Sequence, residues 1–275
     1  MKKGISLSSF SDWNYDVAFK QAKEYGFDGV ELFLMEAGEG LTLSSTKDEM
    51  LEIRKKIDDA GLEPYSITTG LCWQYSLTSD DEAERAKAED VIKKQLEAAA
   101  VIGCETILVV PGASGVDFAP HLGVVDYEVA FNRALEGVKK MSKVAEDCGV
   151  VIGIENVWNK ILLTPLEMRT FIDEVGSEFV GAYFDVGNVL INSYPEHWIR
   201  ILGDRIKKVH FKDFKRSINN NCDLLAGDVD YSAVMEAFRN IGYDGWATAE
   251  MFPYPKHNEV MLAHTSLAMD TIFKN

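Results

Sequence analysis

Four side chains give this sequence its chemical capacity: Glu155, Asp185, His210 and Glu250. Each stands where a short apolar run ends, in VVIGIE at 150–155, GAYFD at 181–185, KKVH at 207–210 and WATAE at 246–250. Three carboxylates and an imidazole gathered in a partly buried pocket repel one another, and one acid must take up a proton unless a cation intervenes. A mixed oxygen and nitrogen donor set suits a divalent metal, Mn²⁺ first, with Mg²⁺, Co²⁺ or Zn²⁺ as alternatives; no Cys joins the group to favour a thiolate-preferring ion. Taken singly, each residue has a plainer reading. A strand-end acid is often a helix N-cap, and a lone His is often a hydrogen-bonded structural residue. The recurrence at four consecutive strand ends is what points to a shared metal site.

The elements that must position these residues follow from hydrophobic period. Strand-like runs lie at 4–9, 29–34, 64–69, 106–110, 150–155, 180–186, 206–211 and 246–251. Each is followed by a longer amphipathic run, at 17–25, 47–60, 81–102, 127–147, 166–175, after Pro195, and at 231–241 and 260–273. Gly26, Gly61, Gly103, Gly149, Gly176 and Gly242 stand just past helix-like runs, where a left-handed C-terminal cap is expected. Eight strand–helix units without a linker predict an α/β fold: one (β/α)₈ barrel domain over 1–275. An open doubly wound sheet would need phosphate-binding glycines after the first strand, and Ser8-Ser9-Phe10-Ser11 offers none. In a barrel the C-terminal strand ends build the active site, so the four residues above meet round one half of its mouth.

The 275 residues carry a formal net charge of −16. That opposes nucleic-acid binding, which depends on Lys and Arg neutralising phosphates, but leaves room for a small anionic substrate at a local basic cluster. Cys72, Cys104, Cys148 and Cys222 form no metal-binding or redox spacing, so reduced thiols are expected, buried at Cys104 and Cys148. The N-terminus lacks a signal-peptide core, and no apolar run is long enough to cross a membrane. A cytoplasmic protein without membrane partners is the default, and a homo-oligomer, dimer or tetramer, is compatible with it.

The segments GVEL (29–32), GIEN (153–156), FDVGN (184–188), VHFKD (209–213), GDVDY (227–231) and TAEM (248–251) give the whole chain its resemblance to a known family. It resembles the xylose-isomerase-like barrel superfamily of sugar phosphate isomerases and epimerases, and within it the ketose and ketose-phosphate 3-epimerases. In those epimerases a Glu, an Asp, a His and a Glu on strands five to eight hold the metal, which falls on Glu155, Asp185, His210 and Glu250. The resemblance implies that Glu155 and Glu250 are also the catalytic acid and base, and that Arg216 contacts substrate. Two positions depart. Asn188 stands where epimerases of free ketoses carry a histidine, and Ile161 where they carry a second Glu. Gly187-Asn188 looks like the branch acting on phosphorylated pentuloses.

The expected substrate is therefore a sugar or sugar phosphate. A metal on the carbonyl and hydroxyl oxygens would stabilise an enediolate, with one glutamate removing the C3 proton and the other returning one from the far face. Lys212, Lys215 and Arg216 follow the seventh strand, on the side where barrels often bind phosphate; Lys160 is a weaker candidate, and a merely solvated basic loop is the plainer reading. Asn188, Lys212 and Trp158 complete the substrate-binding candidates. Trp13, Trp73 and Trp158 each follow a strand and could wall the site or simply anchor loops. Glu31, inside the second strand, reads as structural. An aldose–ketose isomerase or a dehydratase of inososes or keto sugars could use the same metal site. A type IV apurinic endonuclease would need more strand-end histidines and a basic face, and a non-catalytic sugar-binding barrel would not need both glutamates.

Overall fold

The eight apolar runs pair as parallel strands that close on themselves. The computed structural model describes residues 1–274; Asn275, the last residue of the expected domain, lies outside the described residues. The strands are β1 (Lys2–Ser6), β2 (Gly29–Leu34), β3 (Glu63–Thr69), β4 (Thr106–Val109), β5 (Val151–Glu155), β6 (Val180–Asp185) and β7 (Ile206–Phe211). After a small antiparallel hairpin, β8 (Asp213–Lys215) and β9 (Asn220–Cys222), comes the last barrel strand, β10 (Trp246–Ala249). The ring runs β1-β10-β7-β6-β5-β4-β3-β2. Around it lie α1 (Tyr15–Glu24), α2 (Lys47–Asp59), α3 (Glu82–Ile102), α4 (Tyr127–Cys148), α5 (Pro165–Val175), α6 (Pro195–Leu202), α7 (Tyr231–Ile241) and α8 (Asn258–Ile272). The expected (β/α)₈ barrel is the fold among the described residues.

Local chemistry explains where the helices begin and end. The side chains of Asn14, Thr46, Asp81, Asp126, Thr164 and Asp230 accept first-turn N–H groups that would otherwise have no partner. The six glycines expected as caps all take the left-handed conformation, with φ between 65° and 91°. The other residue types pay a steric cost there that glycine avoids.

Alternate residues of each strand face the barrel interior, which is filled in layers rather than left as a pore. At the N-terminal end Tyr65 stacks on Trp246 with ring centroids 4.0 Å apart. A methyl on Gly4 would stand 2.2 Å from the Tyr65 hydroxyl, so the plug requires glycine there. Above it Tyr183 crosses the interior, and Gly153 on the next strand makes room: a Cβ there would meet the Tyr183 Cβ at 2.9 Å.

Three details differ from the sequence reading. The first strand lies earlier, at Lys2–Ser6, because Lys2 to Ile5 pair with Trp246 to Ala249, and the chain then turns through Leu7–Ser9. Regular pairing of the last strand stops at Ala249, one residue before Glu250, although the Glu250 N–H still donates to the Phe211 carbonyl at 3.3 Å. The β8–β9 hairpin has no apolar alternation to announce it. It is held instead by the fully buried Asp213, whose carboxylate accepts N–H bonds from Phe214, Leu225, Gly227 and Val229. Gly227 is obligatory beside it, since a Cβ would lie 1.9 Å from Asp213 Oδ1. Replacing Asp213 with Ala should therefore cost about 2–4 kcal/mol, by stranding several partly buried donors at once. Urea unfolding measures this, and an unchanged midpoint would show that other contacts hold the hairpin.

Candidate metal centre

β5, β6 and β7 each deliver one inward side chain to the barrel mouth: Glu155 and Asp185 end their strands, and His210 stands one residue from the end of its own. Glu250 follows β10 directly. Ligand atoms of these four lie within 4.8 Å of one another, and the group could hold a metal ion. His210 Nδ1 is central, 3.4 Å from Glu250 Oε2, 3.9 Å from Asp185 Oδ2 and 4.0 Å from Glu155 Oε1. Asp185 and His210 are fully buried, Glu155 nearly so.

The donor atoms fit a cation. His210 Nδ1 is buried without a hydrogen-bond partner, and Asp185 Oδ2 and Glu250 Oε2, likewise buried, are met by the ammonium of Lys212, an arrangement that leaves donor capacity for a cation. Three hard oxygens and one imidazole nitrogen match a divalent ion. The remaining polar atoms are held in place. Asn188 Nδ2 donates to Glu155 Oε1 at 3.3 Å and to the Asn156 carbonyl, while its N–H donates to Asp185 Oδ1 at 2.8 Å. Asn156 Oδ1 accepts the Asp185 N–H, and its Nδ2 donates to the Asp185 carbonyl, so the GIEN and FDVGN segments interlock.

Lys212 is also placed here. Its ammonium makes ionic contact with Asp185 Oδ2 at 3.1 Å and lies against Glu250 Oε2. The residue expected to meet substrate thus serves, with the protein's groups alone, as counter-charge to the carboxylates. Burial and the neighbouring Glu250 push the Glu155 carboxyl up to about 8. Burial acts the same way on Glu250, but Lys212 and His210 outweigh it and hold that carboxyl well below the usual range.

The expected basic cluster does not converge into one pocket. Lys215 pairs with Asp228 at 2.7 Å, and Lys160 with Asp117. The exposed Arg216 donates to the Leu190 and Ser193 carbonyls and lies over the Tyr194 ring. Trp158 does stand beside the site. Its indole N–H donates to the Asn188 carbonyl, its ring packs edge-on against Phe214, and it lines a cavity of about 320 Å³ with Asn156, Asn188 and Val189. A second cavity of about 190 Å³ lies on the other side, between Lys212, Asn221, Glu250 and Tyr254. Ile161 is buried among apolar residues, so that position offers the site no acid.

From sequence Glu31 reads as structural, and the structure places it beneath the site. Its carboxylate is fully buried in the interior, accepts the Tyr183 hydroxyl at 2.5 Å, and lies 3.1 Å from His210 Nε2. The available signal was an acid in the middle of the apolar run GVELFL. Among the other expectations, Cys104 is buried whereas Cys148 is only partly so, and all four cysteines are free. Among the described residues no helix is long and apolar enough to cross a membrane.

Comparison with known proteins agrees with this fold. Residues 19–269 match the family model described as "Xylose isomerase-like TIM barrel". A D-psicose 3-epimerase of Enterocloster bolteae is 28% identical over 266 residues, spanning 92% of this chain and 82% of the relative. The L-ribulose-5-phosphate 3-epimerase UlaE of Escherichia coli O157:H7 is 25% identical over 238 residues, spanning 84% and 80%. A crystal structure of D-psicose 3-epimerase in the presence of D-fructose superposes with a TM-score of 0.82 at 21% identity, covering all of both chains. At that identity the superposition speaks for the fold.

Ligand groups must shed protons before a cation binds. Because Glu155 is neutral below about 8, divalent-ion affinity should rise with pH towards that value, and binding at neutral pH should release protons. The Glu155 share of the release should vanish above it. Calorimetry of Mn²⁺ binding in buffers of different ionisation enthalpy reads this directly, and proton-free uptake at pH about 7 would contradict it.

Proposed function

The chain belongs to the xylose isomerase-like TIM barrel family, and from its site we propose that it is a metal-dependent ketose 3-epimerase. The carrying observation is the order of strands β10-β7-β6-β5, in which Glu250 and Glu155 flank His210 and Asp185. Carboxylates on two sides of one bound carbon acid are what inversion by two proton transfers needs. Relatives named as 3-epimerases of psicose and of ribulose 5-phosphate support the same reaction.

In this reading Glu155, Asp185, His210 and Glu250 hold the ion, with Mn²⁺ the first choice and Mg²⁺, Co²⁺ or Zn²⁺ the alternatives. When bound, the ion supplies Lewis-acid stabilisation of the negative charge that develops on the carbonyl oxygen. One glutamate removes the proton from C3 on its face, and the other gives a proton to C3 on the opposite face. The reverse reaction exchanges their roles, so each turnover leaves the pair in opposite protonation states until solvent resets it. Asn188 orients Glu155 through its amide, Lys212 balances Glu250, and Trp158 helps to shield the sugar from water. Arg216 steadies the 190–194 loop beside the site.

For the substrate's tail, Gly187-Asn188 resembles the branch acting on phosphorylated pentuloses, but Lys160, Lys215 and Arg216 each have protein partners, which favours a neutral ketose over its phosphate. The free thiols and the sugar reading together support cytoplasmic carbohydrate metabolism as the setting.

Incubation of metal-loaded protein with ketoses and ketose phosphates in D₂O tests the proposal. Deuterium should enter C3 of an equal-mass product, with higher kcat/KM for the free sugar. Label at C1 or C2 would mean an aldose–ketose isomerase instead, and loss of water a dehydratase. Glu155→Gln and Glu250→Gln should each lower kcat by about 10²–10⁴-fold; a fully active double variant would overturn the assignment.

A further inference from the structure

The interior of the barrel holds an acid that the reaction does not touch. Glu31 is fully buried at the middle of β2, and β2 lies across the barrel from β6 and β7. No Lys or Arg side chain forms an ion pair with it among the described residues; the donors that reach it are the Tyr183 hydroxyl, 2.5 Å from Oε2, and His210 Nε2, 3.1 Å from Oε1 and 3.3 Å from Oε2. A buried carboxylate kept on such terms is expensive for a mere strut.

We propose that Glu31 is a positioning residue that sets His210 for cation binding: its carboxylate accepts a hydrogen bond from Nε2–H and so leaves the Nδ1 lone pair facing Glu155, Asp185 and Glu250. This rests on the reading of those four residues as a metal centre. In an imidazole that donates from one nitrogen, the other becomes the acceptor. Here the two ring atoms face different surroundings, since Nε2 points down to Glu31 while Nδ1 has no hydrogen-bond partner and lies 3.4–4.0 Å from the three carboxylates.

The ring is held from the side as well. Tyr183 lies edge-on to His210 with centroids 4.6 Å apart, and the same Tyr183 directs its hydroxyl to Glu31. Tyr183 thus fixes both the plane of the imidazole and the carboxylate beneath it, and glycine at 153 provides the space. The charge on Glu31 also makes the imidazole a stronger donor, and removing an outer partner of this kind typically lowers metal affinity about 10–100-fold.

Two measurements test the assignment. First, Mn²⁺ and Co²⁺ are titrated into chelator-treated wild type, Glu31→Gln and Glu31→Leu, with apo stability followed by urea unfolding. Glu31→Gln keeps an acceptor but loses the charge, so about 10-fold weaker binding is expected; Glu31→Leu loses both, and about 100-fold is expected, with an altered Co²⁺ visible spectrum. Variants that fold and bind with wild-type affinity and spectrum would show that Glu31 is structural only. Second, ¹⁵N-histidine spectra of Mg²⁺-loaded wild type should show His210 protonated at Nε2, which keeps the idea testable even if the variants do not fold. A proton on Nδ1 would overturn it. Wild type that takes up none of these ions would instead defeat the metal reading itself.

Discussion

Crowding carboxylates into the dry mouth of a barrel is unfavourable unless positive charge is brought to meet them, and in this protein β7 brings it. Its inward positions alternate with the strand period of two, and that register continues into Lys212. Lys208 meets Glu105 near the base, His210 meets Glu31 in the middle, and Lys212 meets Asp185 and Glu250 at the top. In a chain with net charge −16, three of the positive groups thus line up along one strand and its continuation, each against an acid from another element. Low dielectric strengthens the buried His210 and Lys212 contacts and makes any unpaired group there costly.

The same constraint explains why neighbouring loops are tied together. Asn156 and Asn188 bond across β5 and β6, Trp158 donates to the Asn188 carbonyl, and Arg216 reaches from the β8–β9 hairpin to the carbonyls of residues 190 and 193. Asp213 then fastens the hairpin by its backbone. Side chains that must approach one ion or one sugar within tenths of an ångström need such support, because a loosely held site loses its geometry. The pair Lys212-Asp213 divides the labour: one side chain enters the site and the next fastens the hairpin beside it.

The interior and the mouth form one polar system rather than a core with a site placed on top. Tyr183 touches both Glu31 and His210, and Gly153 gives it space only two residues before Glu155. The layered filling of the barrel therefore also orients the chemical groups above it.

Much of this was legible in sequence because it is local. Hydrophobic period and glycine caps mark the strand–helix units, and acids or His at the ends of apolar runs mark Glu155, Asp185, His210 and Glu250. Those signals arise from near neighbours along the chain, whose spacing decides which side chains share a face. What only the tertiary structure decided are contacts between residues far apart in sequence. Glu31 and His210 are 179 residues apart, so an acid within GVELFL could not be told from a strut until β2 and β7 faced each other. Lys215 and Arg216 look like a basic cluster in the chain, yet strand alternation and the hairpin send them to Asp228 and to the 190–194 loop. Sequence determines which chemical groups stand at each element's end; closure of the barrel determines which of them meet, because pairing across its interior depends on register summed over all eight strands.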